Sequence, residues 1–328
     1  MTRTQCLLIG DIGGTNARFA LVDPMLPGFH SEVTLPCRDF KSVELAIRHY
    51  LARVKAPDPA VICLAVAGPD VDEQVSLTNN DWRIVAQDLR KQFAGPIVGL
   101  CNDFEAIACS VPFLKESDLL PLGRLAPGPL SAENFSVGVV GPGTGLGAAG
   151  LFKRSDRMFP VAGEAGHAGF APETQIQTDI FVTLRERFDR VSDERLLSGP
   201  GLENIYWALS RLHGDKSANL AAAEICQAAA ESNSSHAVEA LQLFFEILGQ
   251  VAGDLALTLG AIDGIYIAGG IARRYPDLLI GSRFRSGFEA KGRHRSLMER
   301  IPTQLIVHPE PGLLGAAWCA KQLLQKHK

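Results

Sequence analysis

Asn102 and Asp103 follow directly on a short apolar run, Ile97 to Cys101, and a helical pattern starts at Phe104. A carboxylate at the end of an apolar strand is placed to accept a hydroxyl proton while that oxygen attacks phosphorus. The amide beside it offers a donor and an acceptor suited to a sugar hydroxyl. The same position also suits a helix N-cap, so the residues leave both readings of Asp103 open. Glu164 and His167 lie in GEAGH with glycines at 163 and 166. Two ligands are too few for zinc and no cysteine is adjacent, so hydrogen bonding to a polyhydroxylated ligand fits better. A structural histidine is the other reading of His167. Glu194 follows Ser192, which can cap a short turn, and reads as a surface acid favoured by the dipole of a first turn.

Two glycine stretches supply the complementary chemistry. Gly10 to Arg18 reads GDIGGTNAR between the apolar runs Cys6–Ile9 and Phe19–Val22. Strand, glycine turn, strand predicts a β-hairpin. Adjacent glycines permit positive φ, and consecutive N–H groups in such a turn can form a nest for phosphate. An ordinary tight hairpin has the same pattern. The motif returns about 130 residues later as GPGTGLG, Gly141 to Gly147, between Phe135–Val140 and Ala148–Phe152. Thr15 and Thr144 can donate hydroxyls to phosphate oxygens. Asp11, read as ending the first strand, is the candidate for Mg²⁺, through water, because that ion keeps much of its hydration. Gly269 and Gly270 end another apolar run. No G-x-x-x-x-G-K-[ST] occurs, which excludes a P-loop, and the glycines at 141 lead into a strand where a dinucleotide fold needs a helix.

The elements that must position these groups alternate between strand and helix. Glu32–Leu35, Val61–Ala67, Val75–Thr78 and Ile97–Cys101 read as strands, with helices from a Ser42 cap to Val54 and over residues 84 to 93. Residues 112 to 134 are rich in Pro, Gly and Ser and read as a connector. A helix over 174 to 188 opens on the capping-box pattern Thr174-x-x-Gln177. A long helix runs from about Ser235 to Leu259. Gly264–Ala268 and Leu305–Val307 read as strands, and Gly312–Gly315 as a lead into a last helix, Ala316–Leu324.

At 328 residues the chain suits two lobes. A net charge of −4 without a basic block gives no footprint for nucleic acid, and no apolar run reaches the length of a membrane span. Seven cysteines are scattered singly with no C-x-x-C, which reads as reduced thiols in a cytoplasm.

GDIGGTNAR (10–18), CNDFEAIA (101–108), GPGTGLG (141–147), GEAGH (163–167), ERLLSGPGL (194–202), IAGGI (267–271) and PGLLGAA (311–317) together resemble the proteobacterial glucokinases. That family lies in the hexokinase, actin and Hsp70-like ATPase superfamily. The resemblance implies an α/β, two-lobed actin-like ATPase (ribonuclease H-like) fold with a cleft, the small domain being 1–111 plus 312–328 and the large one 112–311. It implies transfer of the ATP γ-phosphate to the 6-hydroxyl of glucose, with ATP and Mg²⁺ as cofactors and a cytoplasmic homodimer. By position, Asp103 would be the base, and Asn102, Asp103, Glu164, His167 and Glu194 would bind glucose. Gly10, Asp11, Ile12, Gly13, Gly14, Thr15, Gly143, Thr144 and Gly145 would hold phosphates, and Gly269 and Gly270 would border the adenosine. Repressor-like sugar kinases share the glycine hairpin and E-x-G-H but carry a cysteine-rich zinc motif after the histidine. Ala168–Glu173 has no cysteine, so zinc is not expected. Kinases of fructose, mannose or amino sugars, and a non-sugar actin-like ATPase, are the alternatives.

Overall fold

The computed structural model describes residues 6–68, 72–77, 80–126, 130, 133–215 and 219–327. The chain divides into two units, one of residues 1–114 with 308–328 and the other of 115–307. These boundaries lie a few residues from 111/112 and 311/312. The 3₁₀ turn Val111–Phe113 continues the helix before it, and Glu310 pairs with Arg18 of the first unit.

The first unit opens on an antiparallel meander. β1 (Leu7–Ile12) pairs with β2 (Asn16–Val22), which pairs with β3 (His30–Pro36). After α1 (Val43–Val54), where Ser42 holds the N-cap position without the side-chain hydrogen bond expected of it, β4 (Val61–Val66) runs parallel to β1. All six residues of β4 are buried, as befits a strand covered on both faces. A small hairpin, β5 (Gln74–Ser76) and β6 (Arg83–Val85), precedes α2 (Ala86–Gln92). Thr78, the expected end of the first of these strands, lies outside the described residues. β7 (Ile97–Asn102) is parallel to β4 and runs into α3 (Asp103–Ser110). The sheet order is β3-β2-β1-β4-β7.

The second unit repeats this plan. β8 (Leu119–Pro121) lies inside the expected connector and edges the second sheet. β9 (Asn134–Pro142), β10 (Leu146–Arg154) and β11 (Arg157–Gly163) form the second meander. β11 has no counterpart among the expected strands. It is an edge strand with Pro160 in its middle, a position where the missing N–H faces no ladder. Helices α4 (Gln175–Leu184), α5 (Gly199–Leu212), α6 (Ala222–Ala230) and α7 (Ser235–Leu259) follow. Then come β12 (Gly264–Ile267), α8 (Gly270–Arg274), α9 (Pro276–Ile280), α10 (Phe284–Glu289), α11 (Arg295–Met298) and β13 (Thr303–Ile306). The order β11-β10-β9-β12-β13-β8 matches the first sheet strand for strand, with β8 added at one edge.

α7 is long and apolar enough to cross a bilayer, but two thirds of that stretch is buried within the protein. It packs against α5, α6 and α10. Gly249 and Gly253 let it meet α10 closely, since a Cβ at Gly249 would lie 2.0 Å from the Phe284 carbonyl oxygen.

The chain returns to the first unit as α12 (Pro311–Lys326). Gly312 and Gly315, expected to lead into this helix, lie within it. The reason is contact. A Cβ at Gly315 would sit 1.6 Å from the Ala106 carbonyl oxygen of α3, so only glycine lets the two helices meet there. Leu313, Ala316, Ala317 and Ala320 bury the same face against Leu7, Ile9 and Val61. By helix propensity alone, Gly315→Ala should stabilise by about 1 kcal/mol. The clash predicts the opposite sign, a loss of about 3 kcal/mol, read as a lower midpoint in denaturant unfolding.

Candidate functional site

Three parallel strands of the first unit end level. Ile12 of β1 is in register with Val66 of β4, and Val66 with Asn102 of β7. Neighbouring strands lie about 4.8 Å apart, so the turn after Ile12 and the Asn102–Asp103 pair share one sheet edge about 10 Å apart. Ligands of open α/β sheets bind at this carboxyl edge.

Asn102, not Asp103, is the N-cap of α3. Its Oδ1 accepts the Phe104 N–H at 2.9 Å and the Glu105 N–H at 3.3 Å. The capping reading of Asp103 is therefore corrected: Asp103 is the first residue inside the helix, half-buried, and its Oδ1 also accepts from the Phe104 N–H at 2.9 Å. Asn102 keeps its amide NH₂ as the half that can meet a ligand.

Asp11 lies within β1, opposite Arg18, one residue before the strand ends. The Arg18 Nη1 is 3.5 Å from the Asp11 carboxylate, and its Nε is 3.2 Å from Glu310. Burial pushes the Asp11 carboxyl up from its ordinary range, and Arg18 opposes that shift. Arg18 and Glu310 were not legible as site residues, since only the fold brings the start of α12 beside β1. Gly10 is a buried strand position whose missing Cβ makes room for Leu64 at 2.7 Å, and the Ile12 side chain is fully buried in the core. Of these two, only backbone can meet a ligand. The turn itself is Gly13–Thr15. Gly13 N–H closes it onto the Asn16 carbonyl at 3.0 Å, and neither Gly13 nor Gly14 has positive φ. The paired glycines thus serve by lacking side chains, not by left-handed backbone. Beside the turn is a cavity of ≈ 720 Å³ lined in part by Gly14, Thr15, Asn16, Arg38, Asn80 and Asp81.

In the second unit the turn is Gly143–Gly145, and everything expected near it converges. Glu194 is half-buried, not a surface acid. Its Oε2 accepts the Leu146 N–H at 2.9 Å. A Cβ at Gly145 would lie 2.4 Å from that same oxygen. Gly199 N–H donates to the Gly143 carbonyl at 2.9 Å, and Ser198, the N-cap of α5, donates to the Glu194 carbonyl at 2.9 Å. Gly166 packs against Leu146, where a Cβ would be 2.2 Å from the carbonyl oxygen. This seats the 3₁₀ turn Ala165–His167 on the start of β10, with Glu164 and His167 exposed. The His167 carbonyl accepts from Arg190 at 2.7 Å. Thr144 is exposed at the tip. Gly269, at the end of β12, has φ +99°, and the Pro142 carbonyl oxygen would be 2.2 Å from its Cβ, so it is fixed as glycine beside β9. Gly270 faces open space.

With this geometry in hand, the relatives are informative. A family model described as Glucokinase matches residues 8–323. This chain belongs to the glucokinase family. It is 41% identical over 317 residues to a glucokinase of Marinobacter nauticus, covering 97% of this chain and 98% of that one. Against a glucokinase of Caulobacter sp. strain K31 it is 43% identical over 316 residues, covering 94% and 93%. The crystal structure of a glucokinase from an Antarctic psychrotroph superposes with a TM-score of 0.87 at 34% identity, covering 97% of this chain and 99% of that one. The α/β fold expected from the resemblance is the one glucokinases share.

Asp193, next to Glu194, was not foreseen as a titrating group. It is buried, and burial, then the nearby Asp254 charge, pushes its carboxyl up to about 7 against the pull of Arg190. Between pH 4 and 7 the folded protein keeps a proton that the unfolded chain has lost. Stability from this group is therefore full below pH 4, falls by up to about 1.4 kcal/mol per pH unit, and is level above pH 7. Asp193→Asn should remove that fall, so wild-type and variant unfolding free energies should diverge from pH 4 to 7 and run parallel above.

Proposed function

We propose that this chain transfers the γ-phosphate of ATP to the 6-hydroxyl of D-glucose, giving glucose 6-phosphate and ADP. One observation carries the reading: Asp103 and the Gly13–Thr15 turn stand on one carboxyl edge of parallel strands, about 10 Å apart, room for an acceptor hydroxyl and a phosphoryl group between them.

In this reading the Asp103 carboxylate takes the proton of the 6-hydroxyl as its oxygen attacks phosphorus in line. The NH₂ of Asn102, Glu164, His167 and the unengaged oxygen of Glu194 meet the other sugar hydroxyls. Thr15 and Thr144 and the backbone of the two glycine turns receive phosphate oxygens, and Gly269 and Gly270 leave space for the adenosine. Asp11 suits Mg²⁺: a carboxylate whose own burial disfavours its charge gains from a cation held through water. The ion would neutralise charge on the phosphates. Water exclusion around the reacting groups limits wasteful hydrolysis of ATP. The setting is the cytoplasm.

A coupled ADP-release assay over a hexose panel tests the reading, with turnover expected on glucose. Release of ADP without any sugar would replace it by a bare ATPase. Asp103→Asn should lower kcat by about 10²–10⁴ with a smaller effect on glucose affinity, and a near-normal kcat would remove Asp103 as the base. Asp11→Ala should impair use of Mg·ATP more than glucose binding, which a titration of each ligand in turn resolves.

A further inference from the structure

His167 and Glu194 lie in two separate 3₁₀ turns of the second unit, and a short antiparallel ladder ties the turns together. Gly169 bridges to Ser192, the Phe170 N–H donates to the Val191 carbonyl at 3.2 Å, and the Asp193 N–H donates to the Ala168 carbonyl at 3.0 Å. In an antiparallel ladder each step along one segment is matched by a step back along the other. The pairs Phe170–Val191, Gly169–Ser192 and Ala168–Asp193 therefore lead to His167 opposite Glu194. There the ladder stops, because one segment enters the turn Ala165–His167 and the other the turn Asp193–Arg195. The two residues read as sugar ligands stand just beyond its end.

One side chain reaches past that end. The Arg190 Nη1 donates to the His167 carbonyl at 2.7 Å. Its Nη2 lies along Gly169, where a Cβ would be 3.8 Å away. The acceptor belongs to the planar peptide that joins His167 to Ala168. Holding that oxygen restricts rotation about the bond from the His167 Cα to its carbonyl carbon, and rotation there would swing the imidazole against the ladder. His167 is exposed and ends a three-residue 3₁₀ turn, an element whose own hydrogen-bond geometry is poor. Gly166, packed on Leu146, seats the middle of the turn. The guanidinium seats its end, with a charge-assisted bond that is stronger than a neutral one.

We propose that Arg190 is a positioning residue: its bond to the His167 carbonyl keeps the imidazole opposite Glu194, so that both side chains meet hydroxyls of one sugar. This rests on the kinase reading, in which His167 and Glu194 bind glucose. Both are read as meeting hydroxyls other than the one that is phosphorylated. The bond therefore helps substrate and transition state alike. Loss of such uniform binding raises KM and leaves kcat in place.

The test compares the wild-type full-length protein with Arg190→Met, which keeps bulk and loses the donor, and with Arg190→Lys, which keeps a charged donor. Glucose and ATP are each varied with the other saturating. We expect Arg190→Met to raise KM for glucose about 5- to 20-fold, with kcat and KM for ATP changed less than about twofold. Arg190→Lys should recover most of the loss. In a His167→Ala background Arg190→Met should add less than about twofold, because the group it positions is gone. Hydrogen exchange, read by mass spectrometry on the peptide that spans Glu164–Phe170, should quicken about tenfold in Arg190→Met. An unchanged KM for glucose in Arg190→Met, beside a raised one in His167→Ala, overturns the proposal. A full Arg190→Met effect that persists in the His167→Ala background overturns it too, since Arg190 then acts through another group. An unchanged KM in His167→Ala removes His167 from the sugar site and the proposal with it. In a protein that phosphorylates no hexose the exchange experiment decides alone: quickened exchange leaves Arg190 as the fastening of the turn and sinks the kinase reading, and unchanged exchange sinks both.

Discussion

Gly315 against the Ala106 carbonyl is the contact on which the first unit's site depends. A helix that closes on another to this distance cannot slide, because backbone has replaced side chain at the point of touch. α3 begins at Asp103, so the contact sets where that carboxylate stands relative to the sheet. α12 begins at Pro311, and from its first turn Gly312 lies against the Asp11 carboxylate, where a Cβ would be 3.2 Å away. Glu310, just before, holds Arg18, which in turn faces Asp11. One helix–helix contact, made by residues more than two hundred positions apart, thus orders a carboxylate on each side of the sheet edge.

The second unit holds its glycine turn with one side chain and one backbone hydrogen bond. Its glycine turn is gripped by a carboxylate, through Leu146 N–H, and by the start of α5, through Gly143. The first turn has the Cys37 N–H on the Thr15 carbonyl, at 2.9 Å, in the corresponding supporting role. Each turn is closed from its first glycine N–H, Gly13 onto the Asn16 carbonyl three residues on and Gly143 onto the Gly145 carbonyl two residues on. In each, the amide that closes the turn is already used, so the N–H groups at the tip are what a phosphate would meet. A turn gripped in this way is ordered by the protein itself.

Most strands were legible because a run such as Val61–Val66 is apolar throughout and flanked by breakers. The repeated glycine hairpin announced the repeated sheet plan. What was hidden has particular causes. β11 carries a proline and an exposed face, so it has neither the composition nor the alternation of a strand. Gly312 and Gly315 look like helix breakers until α3 is known to lie against them. Glu194 looks like a solvated acid until Leu146, forty-eight residues away, is found to use it. The Asn102–Asp103 pair could be named but not assigned, because either residue can cap a helix and only the backbone conformation shows which one does.

That assignment bears on the chemistry. An aspartate used as the N-cap would spend its oxygens on the orphan amides of the first turn. With Asn102 accepting from both Phe104 and Glu105, the helix end is satisfied by a neutral amide. Asp103 then sits in the first turn, where the helix dipole favours negative charge. The cap thus falls on Asn102, at the strand's last residue, and Asp103, the helix's first, shares the Phe104 N–H with it while Glu105 N–H goes to Asn102.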